Sequence, residues 1–268
     1  MGSAHPQSIV TPKSVVEWSP DGTTVTKRAV GDHVDEVLGP YRAAIRNEIR
    51  VNRMLSNDAP PVAIPQLLSW SGSHRSMTFE AVDGKPLGPK FPTELAHDDV
   101  LDLIELGHSL HPYQPRRRWF RRLDVDRRLR HHVLNDLVTP DDADAISSLA
   151  SDRQVRWRFA HADLTARNVL RRSDGRLVLI DWEWAGLYPT GYELAFLWFS
   201  LSDVPGGRVE VENTIARRNE AGFLVSALLI QLLHLHFLHR SDSPFLSRHW
   251  ETRDDLLRHL HGRESSRG

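Results

Sequence analysis

The chain has 268 residues, a formal net charge of −1, 40% hydrophobic and 26% charged side chains, and no cysteine. That length can bury a substantial core as one large domain or two lobes, and that balance excludes a disordered chain. Without cysteine there are no disulfides, thiolate metal sites or thiol nucleophile, and the near-neutral charge gives no global field for nucleic acid or a membrane surface, so a cytoplasmic protein is expected.

The first residues, MGSAHPQSIVTPKS, have neither a charged n-region nor an apolar h-region, so no signal peptide is expected. Val15–Trp18 and Thr23–Lys27 flank Ser19-Pro20-Asp21-Gly22 and read as strand, tight turn, strand. From Asp35 to Leu55 the pattern turns helical, with Val37, Tyr41, Ala44, Ile45, Ile49 and Leu55 spaced for one apolar face. Asp58-Ala59-Pro60-Pro61 stops that helix.

Strand-like runs follow at 66–70 and 76–82, and Asp83-Gly84-Lys85-Pro86 then breaks the chain. The boundary between a sheet-bearing segment, 1–82, and a mainly helical one, 83–268, is placed there. Leu101–Leu110 and the arginine-rich stretch 116–132 read as helices, and Val155–Phe159 as a short strand. Asn168–Arg172 and Arg176–Ile180 alternate about Ser173-Asp174-Gly175, a hairpin turn. Residues 192–261 read as helices. Among them Ala221–Leu238 is long and apolar, but Gln231, His234 and His236 interrupt it, which favours a buried helix over a membrane span. Arg263–Gly268 reads as a frayed tail.

The chemistry concentrates in His161-Ala162-Asp163-Leu164-Thr165-Ala166-Arg167-Asn168 and in Leu179-Ile180-Asp181-Trp182-Glu183. The first reads H-x-D-x-x-x-x-N; the second ends an apolar run on an acid. Phosphoryl transfer asks a protein to hold acceptor oxygen, phosphorus and leaving oxygen in line and to neutralise charge around them. Asp163 is placed to orient an acceptor hydroxyl and take its proton, which leaves late as the phosphoryl group arrives. Asn168 and Asp181 supply the oxygen ligands that Mg²⁺ prefers. Any one of these residues alone reads as a turn cap; strand, loop, hairpin and terminal Asp in this order point to the chemistry. His161 reads as a structural residue of the loop.

Other features read as structural. The run Arg116–Arg118, Arg121 and Arg122, continuing to Arg130, reads as a solvated helix face with Asp124 and Asp126 as partners, and no nucleic-acid partner is expected. If it borders the acceptor site, it favours a neutral or anionic acceptor over a polycation. His234, His236 and His239 lack regular metal spacing and read as packing residues. Trp182 and Trp184 fit a substrate wall and a core equally well.

The motif HADLTARNVL…LVLIDWEWAG resembles the Brenner-type motif and metal-binding Asp of the aminoglycoside phosphotransferase and choline kinase family, which has the protein-kinase-like fold. Met77–Leu87 resembles that family's inter-lobe linker, and Leu103–His111 the helix after it. The resemblance implies an α+β, two-lobed fold: a small N-terminal sheet lobe with one helix, which binds nucleotide, and a larger, mainly helical lobe with the catalytic and acceptor sites. It implies that Lys27 holds the α- and β-phosphates and that Glu48 pairs with Lys27, Arg28 and Glu36 being the rivals. It further implies that the linker backbone at Phe79, Glu80, Ala81 and Val82 binds the base of ATP or GTP. Three departures stand out. The phosphate-covering loop would fall within residues 7–14, which lack glycine. Glu193 stands where the family often has the Asp that anchors the catalytic loop. Thr165 stands where many relatives have His or Lys, leaving Arg167 as one candidate to meet the γ-phosphate.

The resulting expectation is a Mg²⁺-dependent phosphotransferase acting on a hydroxyl of a small molecule, such as an aminoglycoside-like, sugar or nucleoside antibiotic. The missing glycine loop keeps a nucleotide-binding pseudokinase or scaffold as an alternative. The short first lobe keeps a compact atypical protein kinase as another.

Overall fold

A computed structural model describes residues 8–31, 34–35, 37–115, 120–218, 222–239 and 246–265. Glu36, Arg116–Arg118 and the last three residues lie outside the described residues. The chain divides into two compact units, each discontinuous: residues up to 115 with 163–185, and residues 116–162 with 186 onwards.

The first unit is built on an antiparallel meander. β1 (Ser8–Val10), β2 (Ser14–Trp18) and β3 (Thr24–Ala29) pair in sequence, and β7 (Ser76–Glu80) and β6 (Leu67–Ser71) complete a five-stranded sheet in the order β1-β2-β3-β7-β6. The β2–β3 turn closes at Gly22, whose φ of +70° suits glycine. Short pairs β4 (Val34–Asp35) and β5 (Gly39–Pro40) precede helix α1 (Tyr41–Leu55). The helix therefore starts six residues later than the apolar spacing suggested. A residue before proline is driven out of the helical region, so Gly39-Pro40 sets the start. The expected face is nonetheless the buried one: Tyr41, Ala44, Ile45 and Ile49 pack with Met77 of β7.

The same unit contains β8 (Gly84–Pro86), α2 (His97–Leu110), β10 (Val169–Arg172) and β11 (Leu177–Leu179), with a three-stranded sheet in the order β11-β10-β8. The β10–β11 register pairs Val169 with Leu179, and Ile180 N–H donates to Asn168 O at 2.9 Å. Asn168 and Asp181 thereby become neighbours at the open end of the hairpin.

In the second unit β9 (Trp157–Ala160) pairs with β12 (Gly186–Pro189) beside the helices α3 (Val125–Leu134), α4 (Pro140–Ser151), α5 (Tyr192–Ser200), α6 (Gly207–Arg218), α7 (Phe223–Leu238) and α8 (Leu246–Ser265). Twelve of the sixteen residues of α7 are buried, the pattern of a core helix. Among the described residues no helix is long and apolar enough to cross a membrane.

The arginine-rich stretch departs from expectation. Residues 120–124 are not helical; Arg121 and Leu123 hydrogen-bond through their backbones to Leu187 of β12. Asp124 caps α3 by accepting from Arg127 N–H, and Asp126 accepts from the Ser147 hydroxyl at 2.6 Å. Residue 124 is a better N-cap than helix interior, and that ends the helical run there.

Candidate active site

Lys27 lies near the middle of β3 and its ammonium meets three carboxylates. Nζ donates to Asp181 Oδ1 at 2.6 Å, Glu48 Oε2 at 2.8 Å and Glu183 Oε2 at 3.2 Å. The register brings them together: Lys27 faces Met77 across the sheet, α1 presents Glu48, and the chain after β11 presents both remaining acids. Asp181 adopts a left-handed φ of +68°, which turns β11 sharply into the 3₁₀ turn Trp182–Trp184 and brings Glu183 to the same ammonium. Asn47 fixes that turn by donating from Nδ2 to the carbonyls of Glu183 and Ala185. Trp182 is a core residue, its Nε1–H on Leu179 O, and Trp184 is half-buried against the Tyr41–Met77 cluster.

One ammonium cannot balance three carboxylates in a half-dry site. Burial would depress the Lys27 pKa, but Asp181, Glu48 and Glu183 together hold it well above the ordinary lysine value. Burial raises Glu48 to about 8, the pull of Lys27 only partly offsetting it, and burial raises Glu183 as well. The carboxylate oxygens of Glu48, Asp181 and Glu183 lie within 4.8 Å of one another, the sole such grouping among the described residues. Closely grouped carboxyl oxygens that give up a proton in favour of a cation are the chemistry that accepts a hard divalent ion.

The second half of the site is the loop before β10. Asp163 is buried, at 6% exposure. Its Oδ2 accepts from Asn168 Nδ2 at 2.9 Å, and the same amide nitrogen reaches Asp163 O at 2.9 Å. Its Oδ1 accepts from Lys90 Nζ at 2.9 Å. With the Asn168 amide nitrogen committed to Asp163, its amide oxygen is the end left for a metal. The structure thus pairs Asp163 with Asn168, and Lys27 with Glu48 and Asp181.

Residues 35–229 match the phosphotransferase enzyme family. The chain belongs to this family. No curated protein matches it in sequence. The phosphotransferase has the fold of a choline/ethanolamine kinase family protein from Mesorhizobium loti, at 15% identity and a TM-score of 0.63, over 94% of this chain and 93% of the other. It is similar in fold to the choline kinase LicA of Streptococcus pneumoniae, at 11% identity and a TM-score of 0.60, over 92% and 90%. An aminoglycoside phosphotransferase solved with GDP and kanamycin superposes at 15% identity and a TM-score of 0.59, over 97% and 92%. The expected α+β, protein-kinase-like architecture is the one found.

Within this phosphotransferase the linker is more committed than the sequence suggested. Glu80 N–H donates to Gln66 O and Ala81 N–H to Thr23 O, both at 2.9 Å. Among the described residues the Val82 N–H has no such backbone partner, while Phe79 is partly buried against the α1 cluster. The glycine-free loop resolves into the β1–β2 turn at residues 11–13, closed by Ser14 N–H donating to Thr11 Oγ1 at 2.9 Å. Lys13, in that turn, sits 6.0 Å from the centre of the Tyr41 ring.

The loop anchor is Glu193, in the second unit. Its Oε1 accepts the backbone N–H of His161 at 2.5 Å and of Ala162 at 3.0 Å. Ala162, the residue before Asp163, is held at a left-handed φ of +66°. Gly191, the N-cap of α5 at φ +85°, leaves no room for a side chain: a Cβ there would lie 3.1 Å from the Phe223 backbone, and this fixes where Glu193 emerges. Thr165 is fully buried, and among the described residues its hydroxyl has no hydrogen-bond partner. Arg167 is exposed. Sequence reasoning missed Glu183 and Lys90. For Glu183 a signal existed, a second acid two residues past Asp181; for Lys90 there was none.

Proposed function

We propose that this phosphotransferase moves the γ-phosphoryl group of ATP or GTP to a hydroxyl of a small molecule, with Mg²⁺ as cofactor. The observation that carries this reading is the pairing of Asp163 with Asn168 beside a hairpin that also delivers Asp181 to Lys27. In this reading Asp163 orients the acceptor hydroxyl and receives its proton. Lys27, positioned by Glu48, holds the α- and β-phosphates. Asp181 and Asn168 would hold Mg²⁺, with Glu183 as a further acid; the metal supplies charge neutralisation on the triphosphate.

Residues 1–82 would bind nucleotide and residues 83–268 would carry catalysis and the acceptor. Of the linker, the Val82 amide is the donor left for a base edge. Lys13 would cover the phosphates in place of a glycine-rich loop. Lys90 would meet the γ-phosphate, the role for which Thr165 is unsuited. Its ion pair with Asp163 would then exchange for the incoming phosphate, freeing Asp163 for the acceptor. A small-molecule acceptor is favoured by the kanamycin-bound neighbour, and an antibiotic bearing a sugar or nucleoside is the class to screen first.

The test is to incubate the protein with γ-¹⁸O-labelled ATP or GTP, Mg²⁺ and a panel of sugar- and nucleoside-containing antibiotics, and to follow phosphate by mass spectrometry. Labelled phosphate on one acceptor, lost in Asp163→Asn, is expected. A Mg²⁺-nucleotide shift in melting temperature with no acceptor labelled would favour a binding protein instead. Labelled phosphate on a protein partner would favour an atypical protein kinase.

A further inference from the structure

The second unit contains a cluster of basic side chains that phosphotransfer does not use. Arg128 and His132 lie one turn apart on the buried side of α3, with exposures of 7% and 0%. Among the described residues Nε and Nη1 of Arg128 and both ring nitrogens of His132 are buried without a hydrogen-bond partner. His236 of α7 borders the pair, its ring centre 6.4 Å from that of His132. His131 completes the group: its Nε2 lies 3.3 Å from His236 Nδ1 and 3.3 Å from Asn135 Nδ2. Among the described residues no carboxylate pairs with Arg128.

A guanidinium remains charged throughout the range in which proteins fold. Burying it without a counter-charge is costly, and each orphaned buried donor adds to that cost. Water can accept these hydrogen bonds but cannot neutralise the charge. A metal cation would be repelled by Arg128, and these histidines do not bring three ligand atoms together. What remains is an anion whose oxygens accept from several donors at once, the group that a planar guanidinium recognises best.

We propose that Arg128 and His132, flanked by His131 and His236, form a binding site for an oxyanion, a carboxylate or a phosphate group, within the helical unit. The site does not depend on the phosphotransfer assignment. In the ligand-free protein burial, with the nearby charges of His131, Arg128 and His236, pushes the His132 pKa down to about 3. The imidazole is therefore neutral and donates its single N–H to the anion, while Arg128 supplies the charge.

The experiment follows the histidine ring resonances of the full chain by ¹H–¹³C NMR during titration with inorganic phosphate and, separately, acetate, at ionic strength held constant with chloride. At neutral pH the His132 signals are expected to shift saturably with the added anion. Arg128→Met should weaken that response at least tenfold and raise the melting temperature of the ligand-free protein, because it deletes an unpaired buried charge; a merely structural arginine would lower it. No saturable shift of the His132 signals with either anion, or an undiminished shift in Arg128→Met, overturns the site. The wild-type titration decides even if the variant fails to fold. Once an acceptor is known, competition by phosphate against it would assign the site to an acidic group of the acceptor, and the absence of competition to a separate ion.

Discussion

Lys90 Nζ donates to Asp163 Oδ1 at 2.9 Å, while Asn168 Nδ2 occupies Oδ2 at the same distance. Asp163 is therefore held from both sides, by an amide from its own loop and by a cation from a segment 73 residues away. The amide is buried and fixed; the lysine side chain is 35% exposed and can move to a phosphate. Lys90→Ala should lower kcat for phosphotransfer by roughly 10- to 100-fold, the scale of a lost charge contact in the transition state, with a smaller rise in the nucleotide KM. Lys90→Arg should recover part of the loss. Steady-state rates against nucleotide check this, and an unchanged kcat in Lys90→Ala would remove Lys90 from the mechanism.

What could be read from the sequence follows from how local each contact is. Asp163, Asn168 and Asp181 fall within one loop and one hairpin, so order and spacing alone placed them beside each other. Lys27–Glu48 bridges 21 residues, and the family resemblance, not local spacing, makes that pair the leading choice. Lys90 lies in an irregular stretch between β8 and α2 with no periodicity to mark it. The start of α1 and the break at 120–124 are not legible in the sequence pattern, because apolar and basic spacing runs on through Pro40 and Asp124, where backbone chemistry decides. The arginine-rich composition makes Arg128 look like its solvated neighbours, because composition does not show which face of a ten-residue helix turns inward.

The three-carboxylate cluster makes stability depend on pH. Glu48 is raised from 4.5 to about 8, so between those values the folded chain holds a proton that the unfolded chain releases. The stabilisation from this group is complete below about pH 4.5 and is lost as pH rises through about 8. Glu183 is raised too and acts in the same direction. A divalent cation competes with those protons, so added Mg²⁺ should raise the melting temperature more near pH 8 than near pH 6. Glu48→Gln should flatten the pH dependence. Scanning fluorimetry at both pH values, with and without Mg²⁺, checks this; a Mg²⁺ shift that is equal at both would contradict it.

Glu193 carries a structural burden that its sequence position only hints at. One of its oxygens satisfies two adjacent backbone amides, including that of the left-handed Ala162. Glu193→Ala leaves both amides without their acceptor and should cost about 1–3 kcal/mol in denaturant unfolding. Glu193→Gln keeps an oxygen at the right reach and should lose less than half as much. Glu193→Asp, one methylene shorter, should behave more like Ala than like Gln. Equal stability of the Ala and Gln variants would show that the contact contributes nothing.

The assignment of Asp163 as the proton acceptor separates cleanly from nucleotide binding. Asp163 contacts Asn168 and Lys90, whereas the Lys27 cluster uses Glu48, Asp181 and Glu183. Asp163→Asn removes the basic oxygen but preserves shape and the hydrogen bond from Asn168. It should reduce turnover by a factor of 10² or more, with the Kd for Mg²⁺-nucleotide changed by less than about threefold. Asp181→Asn, which removes a charge facing both Lys27 and the proposed metal, should weaken Mg²⁺-nucleotide binding as well as turnover. Calorimetric titration of both variants beside their rates makes the distinction. Parallel losses of nucleotide affinity in the two would mean that Asp163 belongs to the nucleotide site, and nucleotide consumption undiminished in Asp163→Asn would remove it from the reaction.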